Sequence, residues 1–522
     1  EGAAGMKAVG DVVFNRVRAD LRLTPEIDLR NETYVATQLL KWKNTESNTW
    51  NPIARNITRG GLTLIYRDAT PLPTDAHGAF EWDRRGAPQV RHSHAFLARL
   101  RNALRDRYPD VLDALFAAGA TEMDFIAMLP EGMDRTPHPG DDDLVALACR
   151  RTTFEWVLRR VVLADPTVSL LDGRTVTSLS WTAGSPPVVT GVVLDDGAEI
   201  AADLVVAAGG RRCDVPHLLE ALDIDLEERT EDTGIIYFSR FFALNDGEDW
   251  PAQTGPIGGD LGYLKYGVFQ GDNRTFSITF AVGTGDDEMR KIVLDPERFI
   301  EVASKIPATA PYIDGRSAPI TEVFVMARLL NRSRRFTDAD GAPKVLGFSA
   351  VGDSHTCTNP LYGRGCSLGF VQAELLAVSL ADWPNDPVER ARTYEARCVE
   401  EILPWYKASV AQDAANRADA ARTTEPAVEG DGPAHDAPAG DAPMSEVDSM
   451  RAMMRDGLLP AIRTDPVVLR AFLRMFNLLE APDSLMKDWD VIGRVMTVYQ
   501  DRDQRPPEPA LGPGRAAILS AV

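Results

Sequence analysis

Short runs of apolar residues separated by turn-forming residues predict the strands of this chain. Leu62–Tyr66 is apolar and partly β-branched, which is typical of a strand. Four further runs between residues 168 and 206 are separated by Asp-Gly pairs, which favour tight turns between strands. Apolar and polar positions alternate over 233–245 and 263–282, as they do in a sheet with one covered face. Residues 344–351 predict one more strand.

Apolar positions spaced by three or four residues predict helices within 93–118, 144–163, about 366–382 and 446–500. Residues 413–445 differ because they are mostly Ala, Asp, Pro and Gly, with few large apolar side chains. Such a segment cannot bury a core, so its composition predicts a flexible linker. The mixture of strands and helices along the chain indicates an α/β fold.

Composition and charge restrict the function further. The chain has 522 residues, 44% of them hydrophobic, and its net charge of −21 disfavours nucleic acid and anionic membranes as partners. It contains no apolar run long enough to cross a bilayer and no basic region followed by an apolar one at its start, so we expect a cytoplasmic protein without a signal peptide. Five cysteines without a CxxC pair and seven scattered histidines predict neither disulfides nor a metal site.

The first 60 residues differ in composition from the rest of the chain. They contain six asparagines, against eight in the remaining 462 residues, and they use lysine where the rest strongly prefers arginine. A shift this abrupt predicts a junction near residues 59–61, with an atypical N-terminal segment over 1–60.

The most informative stretch is GDSHTCTNPLYGRGC at 352–366, between a predicted strand and a predicted helix. Asp353 at the strand end can accept hydrogen bonds from cofactor hydroxyl groups, and Gly363 and Gly365 let the backbone approach a flat ring because they have no Cβ. The N-terminus of the next helix offers N–H groups and positive dipole character to an electron-rich edge, such as that of a reduced flavin. The alternative is a plain strand–turn–helix connection whose glycines only serve the turn.

This stretch resembles the second FAD motif of the flavin-dependent aromatic hydroxylase family, in which GD is followed by a proline and GxG. Three other segments resemble the family in the same order: RRGAPQVRHSH at 84–94, CRRTTFE at 149–155 and ADLVVAAGGRR at 202–212. The resemblance covers about residues 61–522 and implies FAD as the cofactor. It assigns these residues to the cofactor site: Arg150, Gly352, Asp353, Pro360, Gly363, Arg364, Gly365 and Cys366.

The resemblance also implies the organisation and the activity. A three-layer FAD-binding domain over 61–412 is interleaved with an antiparallel substrate-domain sheet at about 168–200 and 225–340, and a helical C-terminal region follows the linker at 446–522. In the implied reaction NAD(P)H reduces FAD, O2 adds at flavin C4a to give a hydroperoxide, and a small organic substrate is hydroxylated. The resemblance singles out no catalytic base.

Two features depart from the family pattern. The GxGxxG fingerprint, whose glycines let the cofactor pyrophosphate reach a helix N-terminus, should lie about 20 residues before Leu62 and is absent. Tyr66 stands where the family has an acidic residue that binds the adenosine ribose. The first βα unit is therefore missing or replaced, and we expect this chain to bind FAD weakly or not at all.

Residues 1–60 have a different likeness. EGAAGMKAVGDVVFNRV resembles the opening of the spore-cortex-lytic type of cell-wall hydrolases, in which a glutamate before such a helix is the general acid. That role would fall on Glu1. A plain amphipathic helix explains the same pattern.

Several alternatives stay open at this stage. The protein could instead be a flavin-dependent reductase or dehydrogenase on the same fold, or a cell-wall hydrolase fragment fused to a flavoprotein remnant without cofactor. His92 and His94 either contact cofactor or substrate or only form local hydrogen bonds. Cys366 fits a small residue at a helix start better than a covalent attachment point, and Tyr237 and Arg240 either face a ligand or support the sheet.

Overall fold

The structure of the protein is a computed structural model that describes residues 61–67, 71–82, 84, 86–129, 133–252, 257–424, 452–505 and 510–521. Eighteen strands lie within these ranges. They are β1 Leu62–Tyr66, β2 Thr121–Asp124, β3 Val145–Ala148, β4 Val168–Asp172, β5 Val176–Thr182, β6 Val188–Leu194, β7 Glu199–Ala201, β8 Val205–Ala207, β9 Glu227–Asp232, β10 Ile235–Leu244, β11 Gly258–Asp260, β12 Leu264–Gln270, β13 Thr275–Gly283, β14 Ser317–Pro319, β15 Phe324–Met326, β16 Leu330–Arg335, β17 Phe348–Ala350 and β18 Thr356–Cys357.

Fourteen α-helices lie within the same described ranges. They are α1 Ala76–Glu81, α2 Ala98–Arg107, α3 Pro109–Ala117, α4 Arg151–Leu163, α5 Val215–Leu219, α6 Asp287–Leu294, α7 Pro296–Lys305, α8 Gly365–Asp382, α9 Pro387–Glu401, α10 Leu403–Thr424, α11 Leu459–Thr464, α12 Pro466–Phe476, α13 Trp489–Gln500 and α14 Arg515–Ala521. In the described part of the chain, no helix combines the length and apolar character needed to cross a membrane.

Two parallel strand pairs join segments that are far apart in the sequence. β1 pairs with β4, with Leu62 opposite Val168, and β8 pairs with β17, with Val205 opposite Phe348. Parallel pairing of this kind requires long connections, which here contain the other sheets and helices. The strand predicted at Leu62–Tyr66 is confirmed, and the strand predicted within 344–351 is confirmed at its C-terminal half.

The largest sheet is antiparallel. Its strand order is β11–β12–β13–β10, and both β14 and β15 pair with the free edge of β10. One face carries Phe238, Ile278 and Phe280, which pack against Met289 of α6 and Phe299 of α7 in an apolar core. Because successive side chains of a strand point to opposite faces, the residues between them are turned to the other side, where a large cavity lies.

Strands β5, β6 and β7 form a separate three-stranded sheet. Its Leu179, Val189 and Val192 share a core with Ala207 of β8 and Phe348 of β17. The segment that the sequence assigned to the substrate domain at about 168–200 therefore packs with the parallel strands. It is not part of the six-stranded sheet.

Helices occur in the predicted regions, but several of them begin or end at residues other than those predicted. The region 93–118 holds two helices because Tyr108 leaves the helical conformation and Pro109 begins the second helix. The region 144–163 begins with a buried strand, β3, and becomes helical only at Arg151. A uniformly apolar segment as short as Val145–Ala148 has no periodicity that distinguishes a strand from a helix.

Helix α10 extends through Thr424, so residues 413–424 are helical although their composition predicted a linker. The remainder of the predicted linker, 425–445, lies outside the described residues, as does the N-terminal segment 1–60. In the C-terminal region, Leu469 and Leu473 of α12 pack on Leu144 before β3. The helical character predicted for 446–500 agrees with α11, α12 and α13 within the described residues, which resume at 452.

Candidate functional site

The segment 352–366 connects β17 to α8 through two tight turns and the short strand β18. Gly352 follows the strand with φ +58°, a left-handed conformation that glycine adopts without strain. A Cβ built on Gly352 would lie 3.9 Å from the Cα of Gly369, so the turn and helix α8 approach closely where both residues are glycine.

The two glycines of the GxG sequence, Gly363 and Gly365, differ in their backbone conformation and in the space around them. Gly363 has φ +66°, and an added Cβ would lie 2.9 Å from the Cβ of Ala95, so both conformation and space require glycine there. A Cβ added to Gly365 would meet no described atom within 4 Å. Gly365 begins α8, whose first-turn N–H groups have no partner within the helix. The open space in front of Gly365 therefore faces a set of hydrogen-bond donors.

A cavity of about 3540 Å³ lies between this segment and the six-stranded sheet. It exceeds the roughly 300–1,000 Å³ of a pocket for one drug-sized ligand. The structure brings together six of the eight residues that the sequence assigned to a cofactor site. Of these eight, the six that line the cavity are Gly352, Asp353, Pro360, Gly363, Gly365 and Cys366.

The other two predicted residues, Arg150 and Arg364, are not among the residues that line the cavity. Arg150 is 8% exposed and forms an ion pair with Asp272, with Nη2 at 2.7 Å from Oδ2. The guanidinium of Arg364 is stacked between the rings of Tyr362 and Trp405, at 4.9 Å and 4.7 Å from their centroids. Sequence position could not distinguish an arginine that reaches a cavity from one that supports its wall, because the direction of the side chain depends on tertiary partners.

Asp353 is half-buried on the cavity wall near several cations. Burial raises the pKa of its carboxyl group, and this effect outweighs the charges of Arg151, Arg211 and Arg332, which act in the opposite direction. Nη2 of Arg332 donates to the backbone carbonyls of Asp353 and Arg211, at 3.0 Å and 2.8 Å. Arg332 therefore joins the backbone of the Asp353 turn to the backbone at Arg211.

A charged cluster that the sequence analysis missed lies beside Cys366. Arg151 contacts Sγ of Cys366 and donates from Nε to Oε1 of Glu155 at 2.7 Å. Nη1 of Arg84 contacts Oε2 of Glu155 at 2.5 Å. Burial alone would raise the pKa of Glu155, but the charges of Arg151 and Arg84 lower it overall. The spacing of Arg151 and Glu155 by four residues at a helix start was the available sequence signal.

His92 and His94 both line the cavity but have different partners. Nδ1 of His94 lies 2.9 Å from the backbone carbonyl of His92, which is a local hydrogen bond. Nδ1 of His92 lies 3.1 Å from Oγ of Ser239 on β10, and Ser239 lies 2.8 Å from Oγ1 of Thr279 on β13. Burial and the charge of Arg211 lower the pKa of His92 to about 4, so its ring is neutral at physiological pH. His92 thus connects the loop after α1 to the cavity face of the sheet.

Tyr237 and Arg240 point to opposite sides of β10. Tyr237 is 5% exposed and lines the cavity, and its hydroxyl has no hydrogen-bond partner among the described residues. Arg240 instead donates to the backbone carbonyls of Thr321 and Pro296, at 2.9 Å and 2.6 Å. Arg240 therefore supports the sheet and does not face a ligand, whereas Tyr237 is available to a molecule in the cavity.

The ring of Tyr66 lies at the end of β1, with the guanidinium carbon of Arg159 at 4.6 Å from its centroid. Both residues line the cavity. The tyrosine thus has a cation–π contact at a position where the resemblance implied an acidic side chain. The described residues contain no group of three or more His, Cys, Asp or Glu side chains suited to a metal ion.

A known protein is similar to this chain in sequence, and several solved structures are similar to it in fold. Protein Rv3254 of Mycobacterium tuberculosis is 28% identical over 486 residues, which cover 85% of this chain and 93% of that protein. A mutant of PqsL from P. aeruginosa superimposes with a TM-score of 0.50 and 16% identity, covering 71% of this chain and 93% of PqsL.

A flavoprotein/dehydrogenase from Cytophaga hutchinsonii also has a TM-score of 0.50, with 12% identity, covering 86% of this chain and 96% of that one. No family model matches the chain, which leaves the cell-wall hydrolase likeness of residues 1–60 without support. The structural likenesses establish the architecture alone: this chain has the α/β fold of PqsL and of the C. hutchinsonii flavoprotein.

Proposed function

We propose that the protein is an FAD-dependent oxidoreductase, and specifically a monooxygenase that takes electrons from NAD(P)H and hydroxylates a small organic substrate. The observation that carries this proposal is the convergence of six motif residues on one cavity wall, in a fold shared with PqsL, which is described as a candidate FAD-dependent monooxygenase. The fold by itself does not specify the reaction, so the site residues carry the argument.

The residues on the wall fit the ring half of a flavin. Gly365 opens onto free space at the N-terminus of α8, where donors and a positive dipole end favour an electron-rich ring edge. Asp353 offers carboxylate oxygens to hydroxyl groups of the ribityl chain. When bound, FAD would accept hydride and react with O2.

The rest of the cavity suits an organic substrate. Tyr237 presents an unpartnered hydroxyl, and Ser239 and Thr279 present further hydroxyl groups on the same sheet face. Phe324 on β15 adds an aromatic wall beside the His92 ring, with ring centroids 6.4 Å apart. In the proposed reaction these side chains orient the substrate and keep water from the reacting atoms.

A second candidate is a reductase or dehydrogenase that never uses O2. The fold likeness to the C. hutchinsonii flavoprotein/dehydrogenase favours it as strongly as the likeness to PqsL favours a monooxygenase, because the TM-scores are equal. Consumption of O2 coupled to NAD(P)H oxidation supports the monooxygenase, whereas reduction of a substrate alkene without O2 uptake supports the reductase.

The test of the proposed function is a titration of purified protein with FAD, FMN and riboflavin, monitored by flavin fluorescence and visible absorbance. Because the sequence lacks GxGxxG, we expect weak binding with little preference for FAD over FMN. Stoichiometric FAD in the purified protein, with a large preference over FMN, would mean that another segment binds the pyrophosphate. Absence of binding by all three flavins would contradict the proposal.

A further inference from the structure

Asp413 lies on helix α10 and is not among the residues that line the cavity, yet its carboxylate is hydrogen-bonded to the loop that forms the cavity wall. Oδ1 of Asp413 accepts from Nδ2 of Asn359 at 2.7 Å and from the hydroxyl of Tyr362 at 2.6 Å. Oδ2 accepts from Nδ2 of Asn331 on β16 at 2.6 Å. Asp413 is 2% exposed, and both asparagines are fully buried.

The network continues into the loop backbone. Oδ1 of Asn331 accepts the N–H of Asn359 at 2.7 Å, and Oδ1 of Asn359 accepts the N–H of Leu361 at 3.0 Å. Each asparagine therefore donates to Asp413 and accepts from the loop. Since an amide that does both cannot turn over without losing a bond, the carboxylate fixes the orientation of both side chains.

The same loop carries a buried cation close to this carboxylate. Arg364 is 7% exposed, and burial lowers its pKa to about 10, while the charges of Tyr362 and Asp413 act in the opposite direction. A buried cation without a nearby anion is strongly destabilising. Asp413 thus serves the loop in two ways, because it orders the backbone and offsets the charge of Arg364.

We propose that Asp413 is a positioning residue that holds the 359–365 loop in the shape required for cofactor binding, although its own side chain does not line the cavity. This inference rests on the proposed function. The loop supplies Pro360, Gly363 and Gly365 to the cavity wall, and Asn359 both caps the turn at Pro360–Tyr362 and receives the carboxylate contact. A shift at Asn359 would therefore move the start of α8.

The substitution Asp413→Asn tests this arrangement with almost no change in volume. The new amide nitrogen would face either Nδ2 of Asn331 or Nδ2 of Asn359, so two donors would meet in either orientation. Turning the Asn331 amide would not help, because its nitrogen would then face the N–H of Asn359.

The double variant Asp413→Asn/Asn331→Asp restores the pattern. The new amide at 413 would accept from Asn359 and Tyr362 and donate to the new carboxylate at 331, whose second oxygen would accept the N–H of Asn359. The net charge stays the same. A role in positioning predicts rescue by this double variant, whereas a requirement for negative charge at 413 itself predicts none.

The measurements are hydrogen exchange of the peptide covering 355–368 in the cofactor-free protein, and flavin affinity. We expect Asp413→Asn to accelerate exchange in this peptide and weaken flavin binding by about tenfold, the effect of losing one buried hydrogen bond, and the double variant to reverse both. The matched control is Asp382→Asn, which removes the negative charge from the 2.7 Å contact with Arg397 between α8 and α9 without reaching the loop.

The control should change neither local exchange nor flavin affinity. Equal exchange in Asp413→Asn and the control, or no rescue in the double variant, would overturn the inference. If Asp413→Asn fails to fold, Tyr362→Phe, which removes the hydroxyl that donates to Asp413 and accepts from Nδ2 of Asn416, must produce the same local acceleration. A wild-type protein that binds no flavin refutes the proposed function, while the exchange measurement still decides whether Asp413 orders the loop.

Discussion

The carboxylate of Asp272 accepts hydrogen bonds from three donors of Arg150, which are the backbone N–H at 2.7 Å, Nε at 3.1 Å and 3.2 Å from the two oxygens, and Nη2 at 2.7 Å. Asp272 is fully buried. Burial alone would raise its pKa, but the hydrogen bonds and charge of Arg150 lower it overall. This pair joins the start of α4 to the turn before β13.

We expect Asp272→Ala to destabilise the protein by about 3–5 kcal/mol, because it leaves the buried guanidinium of Arg150 without its anion. The measurement is the free energy of unfolding from urea denaturation. The control, Asp287→Ala, removes an exposed contact with Arg290 and should cost at most about 1 kcal/mol. Equal losses in the two variants would contradict the importance of the buried pair.

The second prediction concerns pH. The pKa of His92 is about 4 in the folded protein, below the roughly 6.5 of an unfolded chain, so the unfolded state binds its proton first as pH falls. The contribution of His92 to stability is therefore present above pH 6.5 and is lost towards pH 4, by on the order of 3 kcal/mol, and His94, whose pKa is lowered to about 3, acts in the same direction. His92→Gln should reduce this loss, and His77→Gln, at an exposed position, should leave it unchanged. Identical pH profiles for wild type and His92→Gln would show that His92 is not the group concerned.

Alanine variants of Gly363 and Gly365 should affect different properties, the first the stability of the protein and the second its flavin binding. Gly363→Ala should lower the melting temperature, because the new Cβ is strained at φ +66° and collides with Ala95. Gly365→Ala should preserve the melting temperature, since its Cβ meets open space, and weaken flavin binding instead. Thermal unfolding and flavin titration of both variants check this. A large loss of stability in Gly365→Ala would argue against an open approach at that position.

Asp353→Ala should weaken flavin binding more than His92→Ala does. A charge-assisted hydrogen bond from Asp353 to a ribityl hydroxyl is worth about 1.5–3 kcal/mol, which corresponds to about a ten- to hundredfold change in dissociation constant. Both residues line the cavity, so the comparison separates a specific bond from general disturbance of the wall. Equal affinities of the two variants, measured by fluorescence titration, would remove Asp353 from the proposed site.

Local sequence patterns predicted the elements that depend on local interactions. The strand at Leu62–Tyr66 and the order of strand, Gly-rich turn and helix around 348–382 followed from apolar runs and glycine spacing. The partners of those elements could not be predicted in this way. Nothing near Arg150 in the sequence indicates that a carboxylate more than a hundred residues later holds its side chain.

Asp413 illustrates the same limit more clearly. Its surroundings are rich in Ala, and the lack of large apolar residues predicted a linker, although alanine favours helix strongly. At Asp413 the helix is held by polar contacts with Asn331 and Asn359, which a search for periodic apolar residues does not detect.

The pairing of β8 with β17 has a consequence for synthesis of the chain. During translation the edge of β8 emerges long before Phe348–Ala350, and the whole six-stranded sheet is made in between. The nascent polypeptide therefore carries an unpaired strand edge while a second unit folds, a condition that favours aggregation and slow maturation. We therefore expect chains truncated before Phe348, which lack the partner of β8, to give less folded protein than the full chain.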